Sequence, residues 1–346
     1  MNGGIDQVGW TDAQWNRVRE GVMQAWQRVR VAGSFLPVYG PLPASTQVVP
    51  SEVLTPAGTV DDQATTSLLE IALPVSLSRQ QVREDDLSSA LLQFRRRAAQ
   101  VGQLEDWYIF NGTYPGGGFD AARSEAVRTD DRVRYPGGHQ PAISFLENVP
   151  AGFPVLTGTP NPIADARTQV EGLRRRNPGA LGLIEGSAEL DDATSGTTTS
   201  ETSRPRPGDE LVKGVVDGVS TLEENGFVAP YVCVFGRDPF LTAHTYIEGS
   251  TSAPRDRLEP LIGSTLLHAS AIDVPARTSA GHREEWRKRG VLLSLADDAV
   301  DLVIAAAATP EFRRVDERGR FEFVVFERFA LRIKDRTAIV RLNLGA

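Results

Sequence analysis

The sequence predicts a protein of mixed helices and strands, built around one long helix and an extended arm. Residues 77–112 carry apolar side chains at steps of three and four, which places them on one face of a helix. Residues 32–56 contain five prolines, which exclude a helix and interrupt any central strand. Short apolar runs in the second half of the chain, such as 231–235, are typical of buried strands.

The first helix has a well-marked start. Thr11 is the predicted N-cap, with Gln14 as its capping-box partner, and Trp10 and Trp15 occupy the two positions of a hydrophobic staple. An apolar stripe follows at helical spacing and consists of Trp15, Val18, Val22, Ala25, Trp26 and Val29. Such a stripe either packs on the core of its own chain or docks against a neighbouring surface, and its spacing leaves both alternatives open.

The arm and the long helix come next. The arm covers residues 32–56, a polar segment covers 59–67, and 68–75 is predicted as a strand. An isolated arm is marginally stable at best, so we expect it to lie on another surface, such as a second subunit. If most of 77–112 is helical, the helix is roughly 40 Å long at ~1.5 Å per residue. Asn111 and Gly112 supply its stop signal.

The remaining chain alternates loops, helices and strands. Residues 113–180 are rich in glycine and proline, and 189–208 form a polar, low-complexity segment that predicts a loop. Helices are predicted at 209–225, 239–247 and 258–263, and strands at 231–235, 271–274, 291–295, 300–307, 320–328 and 337–344. We expect the last two strands to form an antiparallel pair.

Composition restricts the classes of function. The chain has 346 residues, which is enough for two domains or one elaborated domain. Its composition, 40% hydrophobic and 24% charged, is that of a soluble globular protein. A formal net charge of −8 argues against a basic inner wall that packages nucleic acid. One cysteine, Cys233, excludes a disulfide framework and fits a reduced cytoplasmic compartment. We expect no secretory signal, because the N-terminus has neither a basic n-region nor an apolar h-region. We also expect no transmembrane helix, because no run reaches about 18 apolar residues.

No catalytic constellation is visible in the sequence. The motifs GxGxxG, GxxxxGK[ST], HExxH and GxSxG are absent, and the four histidines have no metal-ligand spacing. Glu105 and Asp106 are adjacent, so on a helix their side chains point about 100° apart and make a poor acid/base pair. We therefore predict no catalytic residue and no metal site, and we interpret the chain as a self-assembling structural subunit.

Five stretches, taken in order, resemble the encapsulin shell proteins of the linocin-like type, which are cousins of the tailed-phage major capsid proteins. They are WTDAQWNRV at 10–18, FLPVYGPL at 35–42, LEIALPVSLSRQQV with LEDWYIFNG at 69–82 and 104–112, LEENGFVAPYVCVFG at 222–236, and VVFERFALRIKDRTAIVRLNL at 324–344. The resemblance implies an α+β protein with the Hong Kong 97-type capsid fold.

The resemblance also implies a division of the chain. An N-terminal helix and arm would cover 1–42, an extended loop and strand 43–76, the spine helix of the P-domain 77–112, an insertion 113–180, the A-domain 181–295, and C-terminal strands that return to the P-domain 296–346. Residues 296–316 replace a family segment, so the acidic contacts expected there do not carry over. Some relatives stack a flavin near the position of Gln80, where this chain has no tryptophan, so we predict no cofactor.

The function that the resemblance implies is a non-enzymatic, icosahedral nanocompartment in the cytoplasm, built from many copies of the chain. It would enclose a cargo enzyme, either a ferritin-like protein for iron storage or a peroxidase, held through a C-terminal targeting peptide. The cargo-docking groove would include Trp15, Val18, Val22 and Trp26, and the pore loop would be Glu248, Gly249, Ser250, Thr251 and Ser252.

Two other functions stay open. The first is a prophage-type major capsid protein that packages DNA, which the net charge and the N-terminal helix disfavour. The second is an enzyme whose site lies in the insertion at 113–180. The predicted partners are therefore other copies of the chain and a cargo enzyme, with no nucleic acid and no membrane.

Overall fold

The computed structural model describes residues 8–43, 46–54, 59–61, 65–111, 188–189, 207–246, 251–272 and 289–343. The helices are α1 (Asp12–Val29), α2 (Arg79–Val82), α3 (Ser88–Asn111), α4 (Pro207–Glu224), α5 (Arg237–His244) and α6 (Pro254–Ile262). The strands are β1 (Val38–Tyr39), β2 (Val48–Pro50), β3 (Val53–Leu54), β4 (Val60–Asp61), β5 (Thr65–Ser67), β6 (Leu69–Leu77), β7 (Ala188–Glu189), β8 (Tyr231–Phe235), β9 (Leu266–His268), β10 (Arg289–Ser294), β11 (Val300–Val315), β12 (Phe321–Ile333) and β13 (Ile339–Asn343).

The first sheet has four strands in the order β1-β11-β12-β6. β1 runs parallel to β11, and the other neighbours are antiparallel. Helices α1 and α3 pack together over one face of this sheet. Phe323 of β12 lies 5.3 Å from the rings of both Trp10 and Phe94, measured between ring centroids. Alternate side chains of β12 therefore fill the core beneath the two helices, because successive residues of a strand point to opposite faces.

The second sheet has five strands in the order β7-β13-β10-β8-β9. Helix α4 packs closely against it at Gly218, where an added Cβ would lie 3.1 Å from a methyl of Leu342 and 3.2 Å from one of Leu292. Cys233 is fully buried in β8, and burial raises the pKa of its thiol. A thiol in this setting is a small core side chain and not a reactive group.

The C-terminal strands differ from the predicted arrangement. β12 pairs with β11 and β6, whereas β13 pairs with β10 and β7 in the other sheet. The prediction of an antiparallel pair between 320–328 and 337–344 is therefore wrong. The segment 296–346 was expected to return to the P-domain. Its strands β11 and β12 join the first sheet, and β13 joins the second. The predicted strand at 271–274 is also wrong for its described part, because Ser270–Ile272 is a 3₁₀ turn.

The long helix begins later than the predicted start at residue 77. Leu77 ends strand β6, and Ser78 then caps the single-turn helix α2 in a capping box with Gln81. Leu87 has a φ of 51°, a left-handed conformation that separates α2 from α3. The 24 residues of α3 span about 36 Å at ~1.5 Å per residue. In the described part of the chain, no helix is apolar and long enough to span a membrane.

Candidate functional site

The start of helix α1 has the predicted geometry. The backbone N–H of Gln14 donates to Thr11 Oγ1 at 3.2 Å, and the backbone N–H of Thr11 donates to Gln14 Oε1 at 2.9 Å. The Trp10 and Trp15 rings meet edge to face with centroids 5.0 Å apart. The capping box and the staple are therefore confirmed, and they fix the helix where it enters the core.

The apolar stripe of α1 lies inside the chain. The exposed fractions are 3% for Trp15 and Trp26 and 0% for Val18 and Val22, and all four belong to the main core. A cargo peptide could not reach these side chains. The structure therefore places them in the core and not in a docking groove. The outward side of the helix is polar and carries Arg17, Glu20, Gln24 and Arg28.

A cluster of buried ionisable groups joins α1, α3 and β12. Arg30 donates through Nε and Nη2 to the carboxylate of Glu105, and its guanidinium lies 3.8 Å from the ring centroid of Trp26. Trp26 Nε1 donates to Glu327 Oε2 at 3.0 Å. Asp106 accepts hydrogen bonds from the backbone N–H groups of the two residues after Arg30, at 2.8 and 2.9 Å. The cluster ties the end of the first helix to the long helix and the sheet.

Burial dominates the electrostatics of this cluster. It raises the pKa of Glu105, against the opposing effect of the hydrogen bonds from Arg30. It raises the pKa of Asp106 to about 7, although the two backbone hydrogen bonds favour the carboxylate. It raises the pKa of Glu327 well above the usual value, and the charge of Glu105 adds to that rise. These groups are removed from water, and the cluster forms a structural junction between α1, α3 and β12.

Only part of this cluster is predictable from the sequence. Glu105 and Asp106 face different partners, in line with their helical spacing. The sequence does not indicate Arg30, Trp26 and Glu327 as partners of these acids, since Trp26 and Glu327 are 301 positions apart. The local signal was the pair of acids inside the otherwise apolar run LEDWYIF, which required buried partners.

The other predicted site residues are less fully described. Glu248, Gly249 and Ser250 lie outside the described residues, as does the insertion at 113–180. Thr251 is exposed and Ser252 half-buried just before α6, and Gln80 is exposed in α2. Among the residues that can be described, no group of three or more His, Cys, Asp or Glu side chains could hold a metal ion.

The sequence matches no known family model or curated protein, whereas the fold is similar to that of solved structures. The chain of a virus-like particle from Pyrococcus furiosus matches at 10% identity and a TM-score of 0.53, over 95% of this chain and 99% of that one. This chain has the Hong Kong 97-type capsid fold. The α+β capsid-fold prediction is therefore confirmed.

Two further solved structures with this capsid fold are similar at a lower level. The holo-SrpI encapsulin of Synechococcus elongatus matches at 10% identity and a TM-score of 0.48, over 93% of this chain and 88% of that one. The capsid of Myoviridae phage XM1 matches at 13% identity and a TM-score of 0.46, over 88% of each chain. The fold alone does not distinguish an encapsulin shell from a phage capsid.

Proposed function

We propose that this chain is the subunit of a closed protein shell, that it assembles from many copies of itself, and that the shell encloses a cargo enzyme. The observation that carries the proposal is the capsid fold together with the ribbons β2–β5 and β3–β4, which expose apolar side chains and whose described residues lie within 46–67. These ribbons are called the arm from here on. Val48 is 46% exposed and Val60 is 60% exposed. Short two-stranded ribbons such as β2–β5 and β3–β4 are marginally stable alone, so contact with a second copy would stabilise them.

An enzyme cargo is favoured over DNA by the charge of the chain. A shell that packages nucleic acid must neutralise its phosphates, and this chain has a formal net charge of −8. We infer a nanocompartment of the encapsulin kind, located in the cytoplasm, whose cargo is a ferritin-like or peroxidase-type enzyme. The prophage-type capsid is the rival function. The shell itself is not an enzyme in this proposal, and the targeting peptide belongs to the cargo.

Purification from the native host separates the two functions. We expect particles that sediment as one large species, absorb as protein after nuclease treatment, and contain a second polypeptide that leaves on disassembly. Protected nucleic acid inside the particle, with no second polypeptide, would support the DNA-packaging alternative. A recombinant shell made without cargo is the control for co-purifying contaminants.

The segment 248–252 is proposed as the lining of a pore. Its small residues and one carboxylate suit passage of cations, so Glu248→Lys should slow cation entry into intact particles without changing their size. The rate can be followed with a cation-sensitive dye trapped inside. Glu223→Lys, at an exposed position of α4, makes the same charge change and is the control. Equal entry rates in all three proteins would rule out this pore assignment.

A further inference from the structure

The beginning of the arm, residues 46–50, is called the root here. It lies on the face of β12 opposite helices α1 and α3. Residues 328, 330 and 332 share that face, because side chains alternate along a strand. A small apolar cluster separate from the main core joins root and sheet, and it consists of Val49, Val303 and Ala330 with Leu42 and Leu68 against them.

Arg332 holds the far end of the root. Its Nε and Nη2 donate to the two carboxylate oxygens of Asp301 at 2.7 and 2.6 Å, a bidentate pair that orients the guanidinium. Its Nη1 then donates to the backbone carbonyl of Pro50 at 3.1 Å. Lys334 Nζ lies 3.0 Å from the same aspartate. The guanidinium is buried and is oriented by Asp301, so its hydrogen bond holds the Pro50 carbonyl in one place.

Arg328 holds the near end. Its Nη2 donates to the backbone carbonyl of Thr46 at 2.6 Å, and its Nε lies 3.6 Å from Glu70 Oε2 on β6. The two arginines are four residues apart, and so are the two carbonyls. Four extended residues span about 13 Å at ~3.3 Å per residue, so the spacing of the two carbonyls along the root matches the spacing of the two arginines along β12. The root is therefore held at both ends along β12.

We propose that Arg328 and Arg332 form a root clamp, which fixes the direction in which the arm leaves its subunit and thereby determines the copy of the chain that it reaches. The proposal rests on the proposed shell function. A second copy is the occupant because the arm beyond the root presents exposed Val60 on a ribbon that its own sheet does not cover. A fixed root directs the ribbon toward one neighbouring copy, whereas a mobile root would let the ribbon contact several different copies.

Two substitutions test the clamp without removing the apolar cluster. Arg328→Met removes the donor to Thr46 and keeps the aliphatic stem. Arg332→Lys keeps a charge beside Asp301 but lacks the planar fork that reaches Pro50. We expect folded subunits that form particles of several sizes or open sheets by electron microscopy. Arg318→Met, at an exposed turn position, is the matched control and should give the wild-type size.

Hydrogen exchange separates the clamp from the shell. The Leu68 N–H donates to the Gln47 carbonyl at 3.0 Å, so its exchange reports on the root. We expect exchange at 65–68 to rise about tenfold in both variants and to stay unchanged in Arg318→Met. Unchanged exchange overturns the clamp, and faster exchange with wild-type particles overturns its role in assembly. If the wild-type chain forms no particles, the shell proposal fails and the role in assembly fails with it.

Discussion

Arg30 faces two buried carboxyl groups, Glu105 and Glu327, where α1, α3 and β12 meet. One cation does not balance two buried carboxylates, and an unbalanced charge in a low-dielectric interior is strongly unfavourable. Glu105 receives both guanidinium hydrogen bonds, whereas Glu327 receives one from the neutral indole of Trp26. Of the two acids, Glu327 therefore binds a proton more readily, since burial and the charge of Glu105 raise its pKa well above the usual value.

The raised pKa values of the buried acids at this junction make the stability of the fold depend on pH in an unusual direction. A carboxyl group with a higher pKa in the folded chain than in the unfolded chain binds protons preferentially when folded. For Asp106, the stabilisation is fully present below about pH 4 and is lost as the pH rises through about 7. Glu327 acts in the same direction. The charged or titratable groups facing these two from the packed elements are Arg30 and Glu105.

Glu327→Gln tests this assignment. A glutamine is neutral and can accept from Trp26 without any proton uptake, so it mimics the protonated acid. We expect the Tm of the variant to match the wild type near pH 5 and to exceed it by about 2 °C or more near pH 9. The measurement is thermal unfolding at a series of pH values.

Glu317→Gln is the matched control for this change. It removes one carboxylate at an exposed position just before β12, so its Tm difference should not vary with pH. A Tm difference for Glu327→Gln that is the same at pH 5 and pH 9 would contradict a protonated Glu327.

At the scale of elements, the packing of α1 on α3 depends on a close approach at Gly102. A Cβ added there would lie 2.8 Å from Val29 Cγ2 and 3.1 Å from the backbone oxygen of Trp26. At Gly21 on the facing helix, an added Cβ would meet the Arg95 and Leu91 side chains at 3.2 and 3.4 Å, and the arginine can move aside. Only the first position brings the helix backbones themselves together.

Gly102→Ala should therefore destabilise the fold by about 1–3 kcal/mol, because the backbone of α1 must shift to admit the methyl. Gly21→Ala should be neutral or stabilising by up to about 1 kcal/mol, since alanine favours a helix over glycine. Denaturant unfolding of the two variants provides the comparison. Equal effects would show that the approach at Gly102 is not restrictive.

The core role of the α1 stripe leads to a different expectation for Trp15→Ala. Removing a buried tryptophan should lower the free energy of unfolding by about 3–5 kcal/mol. Gln24→Ala, on the exposed side of the same helix, should change it by less than about 0.5 kcal/mol. A Trp15→Ala protein with wild-type stability that has lost only its cargo would restore the docking assignment.

The elements show what the sequence could predict. The start of α1 was predictable because Thr11, Gln14 and the flanking tryptophans act within one turn. The start of α3 was not, because the apolar residues before Leu87 belong to a strand and a one-turn helix whose spacings merge with the helical pattern. The separation of β12 from β13 depends on β10 and β7, which lie far along the chain. The buried junction and the root clamp also depend on distant partners.

At the scale of the whole molecule, the two sheets leave the arm as the feature that a single subunit does not explain. Its root is fastened to β12, yet Val48 and Val60 remain exposed. Exposed apolar groups on a marginal ribbon are stabilised when a partner covers them. A closed assembly provides a partner for every copy by symmetry, whereas a monomer provides none. We therefore expect a neighbouring copy of the chain to cover the arm.

Cryo-electron microscopy of the purified protein tests this expectation. We expect closed icosahedral particles of one size, in which residues 46–67 of each subunit lie against the next subunit and cover Val48 and Val60. A chain that stays monomeric or forms only small oligomers at every concentration, or closed particles whose arms contact no neighbour, would contradict it.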